Sequence, residues 1–520
     1  MRRTLRTLIA AALMTAVLAP PTAGHAADAS AVLTWGACPP APPGVERDPR
    51  QQCATLRLPL DYRRPNGRTI DIAISRIRTA TPSLRRGILT FNPGGPGGPG
   101  LDMPSLFAAL LPAQVQERFD LVGFDPRGIG HSTPVTCGLS PTTPPDLIIP
   151  FPAPDGSIAR NVAFARRTAA DCARLSGDLL PYITTANTAR DMDRMRAALG
   201  ERKLSYFGLS YGSYLGAVYA SLFPQRGDRI LLDSGIDPRL VWYDQWRTFS
   251  IGFALRFPDF TRWAAARHTT YGLGATPAAV ASTYDRLAAA LDRDPIVLPD
   301  GLVLNGNVFR LLTFDALYSD FRFPGLAALW RDLAQATAGA TGVTGGAALP
   351  AVRRTAIREA LAGPPTAAQV PQDNLRASQY SIVCGDAAWS RDLRVYARNV
   401  AVDRRIFPRT AGFPANLWPC PFWRFRPIEP PTAVTPRGPR NVLVLQNLRD
   451  PATPWITGFG LRQALGRRAA MVSVDQGGHG VYLFTDAPCA ADIATRFLVT
   501  GALPARDRLC PGQSPLAATG

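Results

Sequence analysis

The chain reads as an α/β fold with a largely parallel sheet, interrupted by a long helical insertion. Three observations predict it. Over the first half, short apolar runs ending in glycine-rich turns alternate with helical segments, the pattern of parallel strands joined by helices. Between about residues 245 and 425 strand signals become scarce and helical periodicity takes over. A buried-strand pattern then returns at Asn441-Val442-Leu443-Val444-Leu445-Gln446, so the sheet resumes after the insertion.

In chain order, Arg2, Arg3 and Arg6 precede an apolar run over 8–18 and small residues at Gly24-His25-Ala26-Ala27. That is the layout of a secretory signal peptide over 1–27, cleaved near Ala26 or Ala27. The arginine pair leaves a twin-arginine route open. No cysteine stands at the cleavage site to carry a lipid, and no later stretch is long and apolar enough to span a membrane. The first part of the core is expected over 28–244. It opens with strands over 53–60 and 69–77, the second alternating Ile70, Ile72 and Ile74 with polar or small residues. A strand over 87–91 runs into Pro93-Gly94-Gly95-Pro96-Gly97-Gly98-Pro99-Gly100, too dense in glycine and proline for helix or sheet. Such a loop lets backbone approach something closely.

A strand over 119–124 follows, then Asp125-Pro126-Arg127-Gly128-Ile129-Gly130-His131-Ser132. Thr188, with Asp191 three positions on, is expected to open a helix that Gly200 ends. Next come a strand from Lys203, a helix through Ala217, and a strand over 229–233. The insertion, 245–425, is read as a helical cap with helices over 276–291, 326–336, 352–361 and 390–402, and loops over 338–348 and 363–371. Residues 426–520 complete the core: a Pro-rich linker, the strand at 441–446, a helix near 459–465, and a last strand at 470–474.

At 520 residues and 46% hydrophobic, the chain can bury a substantial core and is not disordered. Its net charge of +18 is almost wholly arginine, since Lys203 is the only lysine. The arginines are scattered, without the dense block or aromatic alternation of a nucleic-acid groove. Nucleic acid is therefore not expected as a partner; weak attraction to anionic envelope polymers is the most the charge supports. Cys38, Cys53, Cys137, Cys172, Cys384, Cys420, Cys489 and Cys510 all follow the signal segment. An even count in an exported chain favours disulfides, and the absence of Cys-x-x-Cys argues against zinc. Sequence alone does not fix the pairing. Sequential pairs, Cys38–Cys53, Cys137–Cys172, Cys384–Cys420 and Cys489–Cys510, are preferred because each closes a short loop. Neither a metal nor an organic cofactor is implied.

The chemistry centres on Gly208-Leu209-Ser210-Tyr211-Gly212, which lies between a strand and a helix. A serine at such a turn stands exposed at a helix N-terminus, which favours developing negative charge. It needs a positioned base. Past the signal segment there are only three histidines, His131, His268 and His479. His131 sits in a glycine-rich turn after an early strand and reads as structural; His268 reads as a surface residue of the insertion. His479 follows the last strand in a glycine-flanked loop and fits the order serine, acid, histidine of α/β-hydrolases. Asp450, after the 441–446 strand, is the candidate acid that would orient the imidazole. Asp475 is a rival, too near His479 in sequence to reach round easily. Thr453 could hydrogen-bond Asp450. The backbone N–H of Tyr211 and one from Gly94-Gly95 would form the oxyanion hole.

These motifs, with Asn92-Pro93-Gly94-Gly95-Pro96-Gly97, Asp125-Pro126-Arg127-Gly128, Asp450-Pro451-x-Thr453-Pro454 and Gly478-His479-Gly480, resemble the secreted tripeptidyl aminopeptidase family. Its members are actinobacterial α/β-hydrolases related to proline iminopeptidases. The resemblance covers nearly the whole chain after the signal segment, including the Cys489–Cys510 part typical of the family's C-terminal region. It implies an α/β-hydrolase fold, Ser210, Asp450 and His479 as triad, and release of short N-terminal peptides. Such an exopeptidase must bind a free α-ammonium, and Asp386 in the insertion is the candidate carboxylate. A secreted esterase or amidase on small hydrophobic substrates is the second reading. A non-catalytic envelope-binding protein is the third, disfavoured because binding alone has no need of Ser210, Asp450 and His479 together.

Overall fold

The computed structural model describes residues 33–339, 349–362 and 365–513. The signal peptide expected over 1–27 lies outside these residues, as do most of the 338–348 loop and residues 363 and 364.

One nine-stranded sheet organises the fold. Its strands are β1 (Gln52–Pro59), β2 (Thr69–Ile77), β3 (Gly87–Asn92), β4 (Phe119–Phe124), β5 (Leu204–Leu209) and β6 (Gly227–Asp233). A two-residue pair, β7 (Ile296–Val297) and β8 (Val303–Leu304), forms a separate hairpin. Then come β9 (Val442–Arg449), β10 (Ala469–Gly477) and β11 (Arg508–Pro511). The spatial order is β1-β2-β4-β3-β5-β6-β9-β10-β11. Within this sheet only the β1–β2 and β2–β4 pairs are antiparallel. β5, the strand that carries Ser210 at its end, is fully sheathed, with β3 on one side and β6 on the other. Strands buried on both faces read as near-continuous apolar runs, as Val442-Leu443-Val444-Leu445 does.

Among the described residues, helices of eight residues or more are α1 (Met103–Leu110), α2 (Ala159–Ser176), α3 (Thr185–Ala198), α4 (Tyr211–Leu222), α5 (Tyr243–Ala265), α6 (Pro277–Arg293), α7 (Gly306–Ala316), α8 (Phe323–Gly339), α9 (Ala351–Ala362), α10 (Asn374–Asp386), α11 (Leu393–Ile406), α12 (Trp455–Leu465) and α13 (Pro488–Thr500). Ile72, Tyr206, Tyr214, Leu232 and Val444 share a core on one sheet face; Phe91, Phe207, Leu443, Val472 and Phe497 share one on the other. Helices α5 to α9 enclose an apolar core of their own, with Phe257, Phe260, Trp263, Tyr284 and Trp330 at its centre. The segment after β4 joins this block: Asn416 Nδ2 donates to the Pro150 carbonyl (2.7 Å), Asn307 Nδ2 to that of Pro152 (2.9 Å), and Tyr380 Oη to that of Ile148 (3.2 Å).

Two sequence expectations are corrected. Helix α3 starts a turn before Thr188, because Thr184 accepts the Asn187 N–H (3.2 Å) as the N-cap. Thr188 then lies inside the helix and bonds back to the Thr184 carbonyl, while Asp191 is buried against Arg127 instead of capping (2.6 Å). The 470–474 strand is also not the last, for β11 adds to β10 in parallel register. That run was missed because four residues with charged and proline members, Arg508-Leu509-Cys510-Pro511, carry no apolar alternation. The sequential disulfides all form: Cys38–Cys53, Cys137–Cys172, Cys384–Cys420 and Cys489–Cys510. No helix among the described residues is long and apolar enough to cross a membrane.

Candidate active site

Ser210 sits between β5 and α4 with φ 58° and ψ −120°, a region L-residues rarely occupy. Such a backbone costs on the order of 1–3 kcal/mol and persists only where the surroundings hold it. Here they do. The Ser210 N–H donates to the Asp233 carbonyl on β6 (2.9 Å), and its carbonyl accepts from Ser213 Oγ (2.6 Å). A side chain at position 208 would collide with the Gly212 backbone, and one at 212 would stand 2.6 Å from the Asn92 carbonyl. Both glycines of the motif are therefore required by close approach.

β10 ends in Gly477, and the next residues carry His479 over the strand ends. Asn447 Nδ2 ties the Gly478 and Gly480 carbonyls (2.9 and 3.0 Å). The Gly480 N–H donates to Ser234 Oγ (2.8 Å), and the Val481 and Tyr482 N–H groups donate to the buried Asp233 carboxylate (2.8–3.0 Å). Burial is the main reason that carboxyl is pushed up to about 7, the backbone donors pulling the other way. The His479 N–H itself donates to the Tyr318 carbonyl (2.8 Å), and the Tyr318 ring stands edge-on to the imidazole at 5.0 Å.

Asp450 is fully buried and holds His479 Nδ1 with both oxygens, at 3.0 and 2.9 Å. The Asp-Pro turn aims it: the Ala452 and Thr453 N–H groups each donate to Oδ1 (2.8 Å), and Thr453 Oγ1 donates to Oδ2 (3.0 Å). Gln446 Nε2 fixes the Thr453 carbonyl from below (2.6 Å). Burial works against charge on His479, but the neighbouring Asp450, helped by Asp233, outweighs it and raises the imidazole pKa. The rival Asp475 is 58% exposed and pairs with Arg449 (2.6 Å). The Ser210 hydroxyl makes no hydrogen bond among the described residues; such contacts commonly tighten only with substrate.

The Gly-Pro loop is built against the elbow. A Cβ at Gly94 would meet the Leu209 carbonyl at 2.6 Å, Ser210 Cβ at 2.9 Å and Tyr211 N at 3.2 Å. The Gly94 N–H, however, is given to Asn92 Oδ1 (3.0 Å). Of the three sequence candidates for the oxyanion hole, Gly94 is thus already engaged, and its part is to let the loop approach. Gly95 and Tyr211 are the two left as donors.

Asp386 does not do what the sequence suggested. It is buried, and its oxygens accept from Thr185 N–H (2.7 Å), Thr185 Oγ1 (2.6 Å) and Trp242 Nε1 (3.0 Å). Burial pushes its pKa up to about 6 against those donors. Thr185 Oγ1 also meets the Tyr211 hydroxyl (2.9 Å), so Asp386 supports the residue after Ser210 from beneath. His268 accepts the Gly274 N–H (3.1 Å) on an exposed turn, and His131 bonds Asp125 through its backbone (2.8 Å). Asp233, Asn447 and Tyr318 were missed. Asp233 and Asn447 sit on strand ends, a signal that could have found them; nothing local marks Tyr318, which lies in the helical block.

A family profile described as TAP-like protein matches residues 410–510. Tripeptidyl aminopeptidase of Streptomyces coelicolor is 35% identical over 474 residues, covering 88% of this chain and 83% of that protein. Serine protease Hip1 of Mycobacterium tuberculosis is 29% identical over 488 residues, covering 92% and 91%. A protein named Carboxylesterase B of the same organism is 30% identical over 515 residues, covering 95% and 94%. With that identity sustained over most of both sequences, the chain belongs to the tripeptidyl aminopeptidase family.

Proposed function

We propose that the chain is a secreted serine hydrolase that releases tri- or dipeptides from free N-termini. Ser210 Oγ attacks the scissile carbonyl carbon while His479 Nε2 takes the hydroxyl proton. The tetrahedral oxyanion is held by the Tyr211 and Gly95 N–H groups. Collapse breaks the C–N bond, and the imidazolium gives its proton to the leaving amine. Water, deprotonated by His479, then hydrolyses the acyl-enzyme and regenerates Ser210. Asp450 holds the tautomer and balances the imidazolium charge, and Thr453 orients Asp450.

The observation that carries this reading is the two-oxygen grip of Asp450 on His479 Nδ1, on a loop laced to the strand beside the elbow. The aminopeptidase and serine protease names of the relatives support the peptide substrate. The carboxylesterase name of a relative covering 95% of the chain favours a second reading, an esterase or amidase on small hydrophobic substrates. We read the helical block, 245–425, as a cap inserted between core parts 28–244 and 426–520. Four disulfides fit an exported protein.

The test compares a tripeptide 4-nitroanilide bearing a free N-terminus with its N-acetylated form, on wild type and Ser210→Ala. Cleavage of the free-amine substrate alone, absent in the variant, supports the aminopeptidase. Equal cleavage of both removes the exopeptidase reading. Turnover of an aryl ester only moves the function to ester hydrolysis.

A further inference from the structure

The buried arginines of this basic chain are matched by anions or carbonyls. Arg127 grips Asp191 (2.6 Å), Arg256 grips Asp259 (2.7 Å) and Asp320, Arg229 donates to the Leu498 carbonyl and Arg468 to that of Ala220 (2.8 Å); half-buried Arg310 likewise grips Asp292 (2.7 Å). Arg376, half-buried in the first turn of α10, breaks the pattern. Its one hydrogen bond among the described residues runs from Nη1 to Gln379 Oε1 (2.9 Å), and none of their carboxylates comes within ion-pair distance. The nearby acids are occupied. Asp373 accepts from Thr136 Oγ1 (2.6 Å) and the Cys137 and Leu139 N–H groups (2.8 and 3.0 Å); Asp315 pairs with Arg322 (2.6 Å).

Its position gives the unmatched charge a purpose. Gln379, which holds Nη1, donates Nε2 to the Gly95 carbonyl (3.3 Å). The first turn of α10 rests on the same Gly-Pro loop, since a Cβ at Gly97 would stand 2.5 Å from the Leu375 carbonyl. Tyr380 and Tyr318 are the tyrosines whose electrostatics Arg376 feels, and the Tyr318 ring stands edge-on to His479. The guanidinium is therefore one hydrogen-bonded side chain away from the oxyanion loop and within electrostatic reach of the residue beside the imidazole. Burial lowers its pKa, the neighbouring tyrosines opposing, yet a guanidinium remains charged in proteins. A cation kept partly dry without a partner is costly, and a planar carboxylate is the anion whose two oxygens match its free edge.

We infer that Arg376 is a specificity-determining residue that binds a carboxylate of the substrate at the mouth of the site. The substrates favoured are therefore acidic ones. This rests on the serine-hydrolase reading above for its turnover, not on the aminopeptidase step. The carboxylate has two sources, an acidic side chain or the C-terminal carboxylate of a short peptide.

The experiment measures kcat/KM on matched pairs, per active site titrated with a neutral fluorophosphonate. The pairs are tripeptide 4-nitroanilides with Glu or Gln at each position, tetrapeptides as free acid or amide, and 4-nitrophenyl hydrogen glutarate against 4-nitrophenyl pentanoate. Wild type is expected to favour the carboxylate member of at least one pair by about tenfold or more. Arg376→Gln should abolish that ratio and Arg376→Lys restore part of it, and the pair that responds names the source. A ratio that is the same in wild type and Arg376→Gln overturns the proposal, as does no preference in any pair. If no peptide is cleaved but the ester pair shows the Arg376-dependent ratio, the carboxylate site stands and the aminopeptidase reading falls. Should Arg376→Gln not fold, inhibition of wild-type pentanoate hydrolysis decides: competition by glutarate and not by glutaramide supports the site, and equal weakness of both sinks it.

Discussion

Gly94 and Ser210 are packed so closely that any side chain at position 94 would stand 2.9 Å from the serine Cβ, in a backbone of φ +93°. The loop's proximity to the nucleophile thus depends on one missing methyl group. Gly94→Ala is expected to keep the fold, since the loop can withdraw from the elbow. Withdrawal carries Gly95 N–H away from the oxyanion, so kcat/KM should fall on the order of 10²–10³. Circular dichroism and steady-state kinetics check this together; an active Gly94→Ala refutes it.

His479 acts as a base only when neutral, and Asp450 raises its pKa above the ordinary 6.5 despite burial. The acid limb of kcat/KM is therefore expected above pH 6.5. Asp450→Asn removes the charge responsible, which moves the limb to lower pH while kcat drops on the order of 10⁴-fold through the wrong tautomer. Because the fold favours the imidazolium, its contribution to stability is complete below the unfolded pKa. It is lost as pH rises through the folded one. The advantage of wild type over Asp450→Asn in thermal midpoint should shrink over that interval.

Thr453 gives Asp450 both an N–H and a hydroxyl. Thr453→Val retains the shape and the N–H but deletes the hydroxyl. Losing a hydrogen bond to a charged group, about 1.5–3 kcal/mol, predicts a kcat lower by roughly ten- to a hundredfold. Thr453→Ser should recover most of it. Equal loss in both variants would point to packing instead.

Asp386→Asn separates a supporting carboxylate from an ammonium site. The ratio of free-amine to N-acetylated turnover should stay within about twofold, because the carboxylate is already saturated by Thr185 and Trp242. Its folded pKa, raised to about 6 from 3.8, means protonation favours the fold. That contribution, about 3 kcal/mol for a fully buried group, is present below the unfolded pKa and lost as pH rises through about 6. The wild-type minus Asp386→Asn difference in denaturation, compared at pH 4 and pH 7, isolates it from Asp233 and His479, which titrate nearby, and a collapsed free-amine preference would restore Asp386 to the substrate site.

The elbow, the Gly-Pro loop and the His479 loop were legible because each is a local device, written in consecutive residues that a strand-to-helix turn or a close approach requires. Asp450 could be paired with His479 because the order serine, acid, histidine left few strand ends to choose from. Asp386 misled for the opposite reason. A carboxylate beside a cysteine carries no mark of which way it faces, and only the packing of α10 on Thr185 and Trp242 decides that. Tyr318 and Arg376 were invisible for the same cause: Tyr318 meets His479, and Arg376 is tied through Gln379 to the Gly95 carbonyl, by contacts that span more than a hundred residues of chain. The start of α3 was missed because Thr184 and Thr188 are equally good caps in sequence, and only the tertiary position of Asp191 separates them.

Helix α5 touches the turn of Asp450, the proposed catalytic acid. A Cβ at Gly252 would overlap the Pro451 carbonyl and lie 2.9 Å from that of Asp450, while Arg449 Nε holds Asp259 at 2.9 Å. Roof and acid are consequently one mechanical piece. A chimaera that exchanges the insertion with a relative's, to borrow its substrate range, must bring the 449–453 turn along or lose the register of its triad. Helix α10 is bound in the same way to the other side of the elbow, through Gln379 to the Gly95 carbonyl and through Asp386 to Thr185, so it too must travel with its contacts.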